Sequence, residues 1–530
     1  FPKSPHAANQ KTRLESPILP YYRIASRIRT VGGNHGKRGN AMRMQIETAG
    51  LVLAAILTLG AAASAGDDRG GRSPDPRNRD SILDWNAVAC EAVAIDHTGT
   101  FGPAEQGGPT RASRAMAIVH AAMYDAANAV DPIAEPYLFR GRGDDDASLD
   151  AAVATAARDT LVAMYPSQQS LFDLALDGYL QPIKAKNARK RGVAIGRAVA
   201  RNILQRREND GADDMMMYYS TGEPGNHAED PLNPMQGFLS PMWGEVTPFV
   251  LDRGFRYVSP LPPALDSPEY AAAFDDVKRL GGDGITTPTE RTEEQTEIGL
   301  FWAYDGPKRI GVPPRMYNQI VRTIALQERN SELENARLFA LVNLAMADAG
   351  IYCWDVKYDD VLWRPVLGIR RADEDDNPAT SADPDWSPLG APASNQSGSN
   401  FTPPFPAYTS GHATFGGAVF RTLERFYRRD NLEFTFVSDE MNGVTTDWSG
   451  QVVRPLRPRT FQRLSDAAIE NARSRIYLGV HWQFDADEGL RSGYAIADYV
   501  FETALRTKRG HSHDHDHDRD HDRDGDRGRR

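Results

Sequence analysis

Apolar residues recur at three- and four-residue intervals through residues 112–130, 147–164 and 185–204, all alanine-rich, and that period constrains the fold more than any other feature. A helix gathers such positions on one stripe, whereas a strand would need alternation. A further run opens at Pro313-Pro314 and continues through Val321, Ile324, Leu338, Leu341 and Leu344 towards Ala349, and 411–427 and 487–504 complete the set. Strand-like alternation is scarce, with 433–437 its best instance. The sequence predicts an all-α chain packed as helical bundles, two four-helix bundles, with long loops around a site. The insertions at 373–404 and 443–458, rich in Pro, Gly, Ser and Asp, are those loops.

The ends of the chain read differently. Residues 1–41 are rich in Arg, Lys, Gly and Asn without an apolar period, and are expected to be unstructured or foreign to the native protein. Met42 or Met44 then opens an export signal over 42–65: Arg43 is the basic region, 51–62 the apolar stretch and Ala63-Ser64-Ala65 the cleavage pattern. A membrane anchor is the alternative, disfavoured because the run is short and alanine-rich. No later segment reads as apolar enough to span a bilayer, so a secreted or periplasmic protein without stable membrane insertion is expected. Residues 66–80 read as a linker, 81–508 as the helical catalytic region with its motifs in 291–500, and 509–530 as a disordered His/Asp-rich tail. In that tail His511, His513, His515, His517 and His521 offer weak metal capture, with a solvated spacer the preferred reading. Trimming both ends leaves roughly 430 residues, ample for a real core. A net charge of −11 and a pI near 5.6 exclude a nucleic-acid partner. Only Cys90 and Cys353 are present, and the sequence leaves open one disulfide or two separate buried thiols.

Three short blocks carry the chemistry. Lys357 and Arg364 lie seven apart, nearly on one helical face, with Pro365 pushing Arg364 out of helical geometry so that the pair sits where a helix ends. Trp354, Leu362 and Trp363 beside them point to partial burial, and buried cations need an anion. Ser410-Gly411-His412 follows a proline-rich approach and opens a small-residue run, which aims free backbone N–H groups and the positive end of a helix at an anion. An ordinary cap by Ser410 beside a surface histidine is the plain alternative. Arg475 and His481 are six apart, so a break near Gly479 is needed for both to face one pocket. Asp485, four residues on, is placed to orient the His481 imidazole. Together these blocks supply three cations, a hydroxyl, a backbone amide and two imidazoles, the inventory of a pocket for phosphate or vanadate.

In that order, Lys-(six residues)-Arg-Pro, Ser-Gly-His and Ser-Arg-(five residues)-His resembles the superfamily of vanadium-dependent haloperoxidases and acid phosphatases. The stretches 301–306, 313–315, 336–341 and 404–408 look like its chloroperoxidase branch, and the likeness covers about 291–500. The resemblance implies vanadate as cofactor, bonded by His481. It implies that Lys357, Arg364 and Arg475 neutralise the equatorial oxygens, with Ser410 and the Gly411 N–H assisting. His412 would be the acid–base residue at the apical oxygen, Asp305 the partner of Arg475, and Phe405 and Trp354 the halide pocket. The substrates so implied are hydrogen peroxide and chloride or bromide, with hypohalous acid as product and a small organic acceptor downstream. One departure stands out: Thr409 occupies a position where the family usually has proline, and losing that fixed φ is expected to loosen the turn and weaken vanadate affinity. Two other readings use the same residues or the tail: an acid phosphatase with His481 as nucleophile and His412 protonating the leaving oxygen, and an exported oxyanion- or metal-binding protein.

Overall fold

The computed structural model describes residues 79–141 and 144–507; the expected export signal and the His/Asp-rich tail lie outside them. The chain begins with α1 (Ser81–Asp96), α2 (Gly108–Val130), α3 (Leu149–Met164), α4 (Gln169–Leu180) and α5 (Lys186–Arg207). A long connection over 208–267 leads to α6 (Pro268–Leu280), α7 (Glu293–Phe301), α8 (Pro313–Glu328), α9 (Glu332–Asp360) and α10 (Pro365–Arg370). After a second long connection come α11 (Gly411–Tyr427), α12 (Leu464–Tyr477) and α13 (Gln483–Thr503). Between α11 and α12, β1 (Phe434–Phe436) pairs antiparallel with β2 (Arg459–Phe461), placing Phe434 opposite Phe461. The all-α expectation holds, and the best strand candidate is a strand.

Helix boundaries depart from the periodic runs where capping decides. The run expected from Pro313 to Ala349 is two helices: Arg329 turns left-handed at φ 57°, and Ser331 caps α9 in a capping box with Glu334. Helix α13 starts at Gln483 rather than 487, with the Asp485 carboxylate accepting from the Trp482 N–H at 2.9 Å. Helix α1 gave no periodic signal because nearly every side chain along it is buried, and a helix buried on all sides carries no polar stripe.

Two groups of helices result. Helices α2, α3 and α5 pack together with α1, and α11, α12 and α13 pack together; α9 lies against α2 on one side and α11 and α13 on the other. One continuous apolar core therefore runs from Ile82 through Leu341 to Val500. The expectation that no segment after the signal is apolar enough to span a bilayer is overturned for α9, which is long and apolar enough; 89% of its apolar window is buried inside the protein. Its apolarity serves a core contacted from both sides. Helix α13 meets the start of α11 through Gly489, where a Cβ would stand 2.8 Å from the Ser410 carbonyl oxygen. Cys90 and Cys353 are both free and buried, so the two thiols are separate.

Candidate active site

Four chain breaks bring the three blocks together. Lys357 sits in the last turn of α9, which Val361 ends in left-handed geometry at φ 45°. Pro365 does hold Arg364 out of helical geometry, as expected: Arg364 is extended (φ −78°, ψ 157°) at the N-cap position of α10, whose first residue is Pro365, so the pair sits where a helix ends. Ser410 stands at the N-cap position of α11 without a capping bond from its side chain, and its N–H donates to the Asp485 carbonyl at 2.9 Å. Arg475 lies in the last turn of α12, and the break expected near Gly479 is at that residue, with φ 72°. A Cβ there would come within 2.5 Å of the Gly281 carbonyl oxygen, so only glycine turns the chain here. His481 follows, separated from α13 only by its N-cap residue Trp482.

The side chains are held from behind. Lys357 Nζ donates to the Pro406 and Ala407 carbonyls at 2.7 and 3.1 Å. Arg364 donates through Nε to the Phe405 carbonyl (2.8 Å) and through Nη1 to the Val480 carbonyl (2.6 Å) and His481 Nε2 (2.9 Å). Arg475 makes a two-pronged pair with Asp305 at 2.7 and 3.1 Å, the partner expected for it. What remains is telling: Arg364 Nη2, Arg475 Nε and Ser410 Oγ are buried without a partner among the described residues. Leaving a buried donor unsatisfied costs about 1–3 kcal/mol. Three such donors, beside a lysine and two arginines that are themselves buried, fit an anion with several acceptor oxygens, and vanadate meets that description.

Hydrogen-bond partners fix both imidazole tautomers. Arginine can only donate, so His481 Nε2 accepts from Arg364, and Nδ1 carries the hydrogen that it donates to Asp485 Oδ2 at 2.9 Å. Burial, then the charges of Arg364, Lys357 and Arg475, hold the His481 pKa well below the usual value, so the ring is neutral. Burial pushes the Asp485 carboxyl up to about 7 and the Lys357 ammonium down to about 7. His412 Nε2 donates to the Ala303 carbonyl at 2.6 Å, which leaves Nδ1 as the nitrogen able to exchange a proton. Burial and Arg475 depress its pKa to about 3. Thr409 is buried, with its hydroxyl donating to Cys353 Sγ and facing Thr414 Oγ1, both at 3.4 Å. Side-chain packing, rather than a proline ring, holds that turn.

A cavity of about 310 Å³ opens onto Asp305, Gly411, His412, Arg475 and His481. Trp354 and Phe405 line it together, ring centroids 4.8 Å apart, and Phe405 also faces Lys357 Nζ at 5.1 Å and the Arg364 guanidinium at 4.8 Å. The remaining wall includes Leu239, Tyr304, Pro403 and Phe415, with His97 from the end of α1. None of these was singled out from sequence. Leu239 and Pro403 lie on distant loops without a local signature; Tyr304 and Ala303 fall in the 301–306 stretch, but nothing in the sequence shows that the Ala303 carbonyl fixes the His412 tautomer.

Known proteins resemble this chain in sequence and in fold. Residues 337–510 match the family model described as the VCPO second helical-bundle domain. The chain is 31% identical over 499 residues to the vanadium chloroperoxidase of Curvularia inaequalis, covering 78% of this chain and 80% of that protein. A bacterial vanadium-dependent iodoperoxidase superposes with a TM-score of 0.64 at 23% identity, over 81% of this chain and 98% of that one. A bacterial vanadium-dependent chloroperoxidase in its holo form gives 0.57 at 17% identity, over 75% and 92%.

Proposed function

This chain belongs to the vanadium chloroperoxidase family, and from that premise we propose that it oxidises chloride or bromide with hydrogen peroxide at a vanadate held by Lys357, Arg364, Ser410, Gly411, Arg475 and His481. The observation that carries the assignment of the site is the set of three buried donors, Arg364 Nη2, Arg475 Nε and Ser410 Oγ, without partners among the described residues. When bound, vanadate supplies a Lewis-acidic V(V) centre that activates peroxide towards halide without changing oxidation state. His481 would hold it through the Nε2 lone pair that otherwise accepts from Arg364, and Asp485 keeps the ring in that tautomer from the opposite edge. Arg364 and Arg475 would offset the oxyanion charge, with Arg364 Nη1 giving up its 2.9 Å hydrogen bond to His481 Nε2 as the anion takes that lone pair. A buried oxyanion also returns Lys357 towards its charged form, since a nearby negative charge opposes the burial that depresses it.

His412 acts on protons at Nδ1, taking one as peroxide is deprotonated and returning it as water or hypohalous acid leaves. Its low pKa makes it a weak base in the empty site, and the negative charge of the bound anion raises that pKa towards a working value. Trp354 and Phe405 give the halide an apolar, water-poor wall close to two cations. The organic acceptor is taken to be a small molecule that meets hypohalous acid after its release. An exported location rests on residues 42–65 and is checked by sequencing the N-terminus of the secreted protein.

The test is to purify the protein free of phosphate and add orthovanadate. Peroxide-dependent bromination and chlorination of a dione dye are then followed beside p-nitrophenyl phosphate hydrolysis. Vanadate-dependent halogenation, abolished in His481→Ala, is the expected result; phosphate ester hydrolysis without halogenation would instead establish the phosphatase. Halogenation that survives deletion of 509–530 excludes a function centred on the tail.

A further inference from the structure

Among the described residues the exposed methionines gather on one loop, and that loop walls part of the cavity. Met215, Met216, Met217 and Met235 are 91%, 49%, 69% and 90% exposed, whereas every other methionine among the described residues is buried. All four lie in the connection between α5 and α6, whose Gln236 and Leu239 line the cavity. The connection is fastened to the 401–405 wall: Gln236 Nε2 donates to the Thr402 carbonyl at 2.9 Å, and the Leu239 N–H to the Pro404 carbonyl at 2.8 Å. The Met215–Met217 run is tethered to the same rim at both ends. Before it, Asp213 pairs with Arg111 at 2.9 Å, in the first turn of α2 whose Gly108 and Pro109 line the cavity. After it, the Tyr218 ring packs edge-on against Phe238 and Tyr358, and the Tyr358 hydroxyl donates to the Leu239 carbonyl at 2.9 Å. Met215 is two residues from Asp213, about 7 Å of chain at full extension, and Met235 is bonded directly to Gln236.

Methionine is ordinarily a gap-filler of cores, and burying such a side chain contributes about 1.5–3 kcal/mol. Four left in water on one connection add nothing to folding. What an exposed thioether does offer is a polarisable sulfur that two-electron oxidants convert to the sulfoxide. Resting on the haloperoxidase reading above, we propose that Met215, Met216, Met217 and Met235 form a sacrificial oxidation site that intercepts hypohalous acid at the rim of the cavity. The net step is thioether + HOX → sulfoxide + H⁺ + X⁻. Sulfur loses two electrons, the halogen gains two, one oxygen atom is bound to sulfur, and the halide returns to solution for another cycle. The indole of Trp354 and the thiols of Cys90 and Cys353, which lie inside the fold, are thereby spared whatever oxidant turns back towards the protein.

The experiment uses the full chain loaded with vanadate, with bromide and limiting peroxide and no dye, in the presence of excess free methionine. A matched sample receives the same total of reagent hypobromite from bulk solution under the same scavenger. Peptide mass spectrometry then reads the gain of one oxygen at each methionine. Turnover is expected to oxidise the four loop methionines several-fold more than the bulk reagent does, because oxidant made in the cavity passes the rim before it meets the scavenger; omitting bromide should remove that excess. The quadruple Met→Leu variant, which keeps apolar bulk but no sulfur, is expected to halogenate dye at the normal initial rate and to lose activity after fewer acceptor-free turnovers. Equal loop oxidation in both samples, while dye halogenation proceeds, overturns this proposal and leaves the function intact. Absence of dye halogenation overturns the function itself, and the interception with it.

Discussion

Ser410 opens α11, yet its hydroxyl caps nothing. It is buried with no partner among the described residues, although a serine at this position normally accepts from the first turn. Removing it should therefore separate binding from folding. Ser410→Ala is expected to leave the thermal stability of the vanadate-free protein unchanged or slightly raised, since a buried unsatisfied hydroxyl is lost. Its vanadate dissociation constant should rise roughly ten- to a hundredfold, as for the loss of one hydrogen bond to a charged group. Equilibrium binding beside calorimetry checks both; a destabilised apo protein would mean that the hydroxyl serves the fold. At this scale the sequence was most legible. Lys357, Arg364, Ser410, Arg475 and His481 could be chosen because few other purposes bring three cations near two imidazoles. What could not be read was which nitrogen does what. The His481 tautomer depends on Arg364 across the site, and that of His412 on a carbonyl 109 positions away in the chain.

Between residues and the whole, helix ends do the positioning. The α12–α13 junction places Arg475 and His481 in one pocket only because Gly479 tolerates φ 72° with its α-carbon against Gly281. Gly479→Ala is expected to lower stability by about 1–3 kcal/mol or more, the cost of a strained backbone plus displaced packing. It should also abolish vanadate binding even where the variant folds, a result read by circular dichroism and binding on the same sample. A second junction makes a pH-dependent prediction. Glu332, at the start of α9, accepts from the Ser81 N–H at 2.8 Å and from its hydroxyl; burial, then the charge of Asp80, raises its carboxyl from 4.5 to about 8. The folded protein thus binds more protons than the unfolded chain between those values. Stability must fall as pH rises from about 4.5 to 8 and level off above, by an amount of order a few kcal/mol. Glu332→Gln keeps the acceptor oxygen and should lose this slope, so its melting temperature relative to the native protein climbs from pH 5 to pH 8. Parallel curves for the two proteins would refute the assignment. Both junctions show why element boundaries were half legible. The Ser331–Glu334 capping box stood in the sequence, but the apolar period ran through it, and periodicity alone reads two collinear helices as one.

On the scale of the whole molecule, the sequence carried the fold class and not the arrangement. Periodic stripes say that each helix has a buried face, and nothing local says that α9 is buried on both sides, against α2 and against α11 and α13. That sharing has a thermodynamic consequence. Separate bundles meeting at a polar interface would melt independently, whereas these share a helix and one apolar core from α1 to α13. Residues 79–507 should unfold as one cooperative unit, with the calorimetric enthalpy equal to the van't Hoff enthalpy. Vanadate provides the sharper test, because every residue proposed to hold it lies from the end of α9 onward. If folding is a single unit, vanadate at a hundred times its dissociation constant should raise the stability of the entire transition by about 2.7 kcal/mol, moving the α1–α5 region together with the site. Hydrogen exchange read separately in α2 and α12 would then slow in step on adding vanadate. Protection confined to α11–α13 would show instead that the site-bearing helices fold on their own, and that the core through α9 joins two units without coupling them.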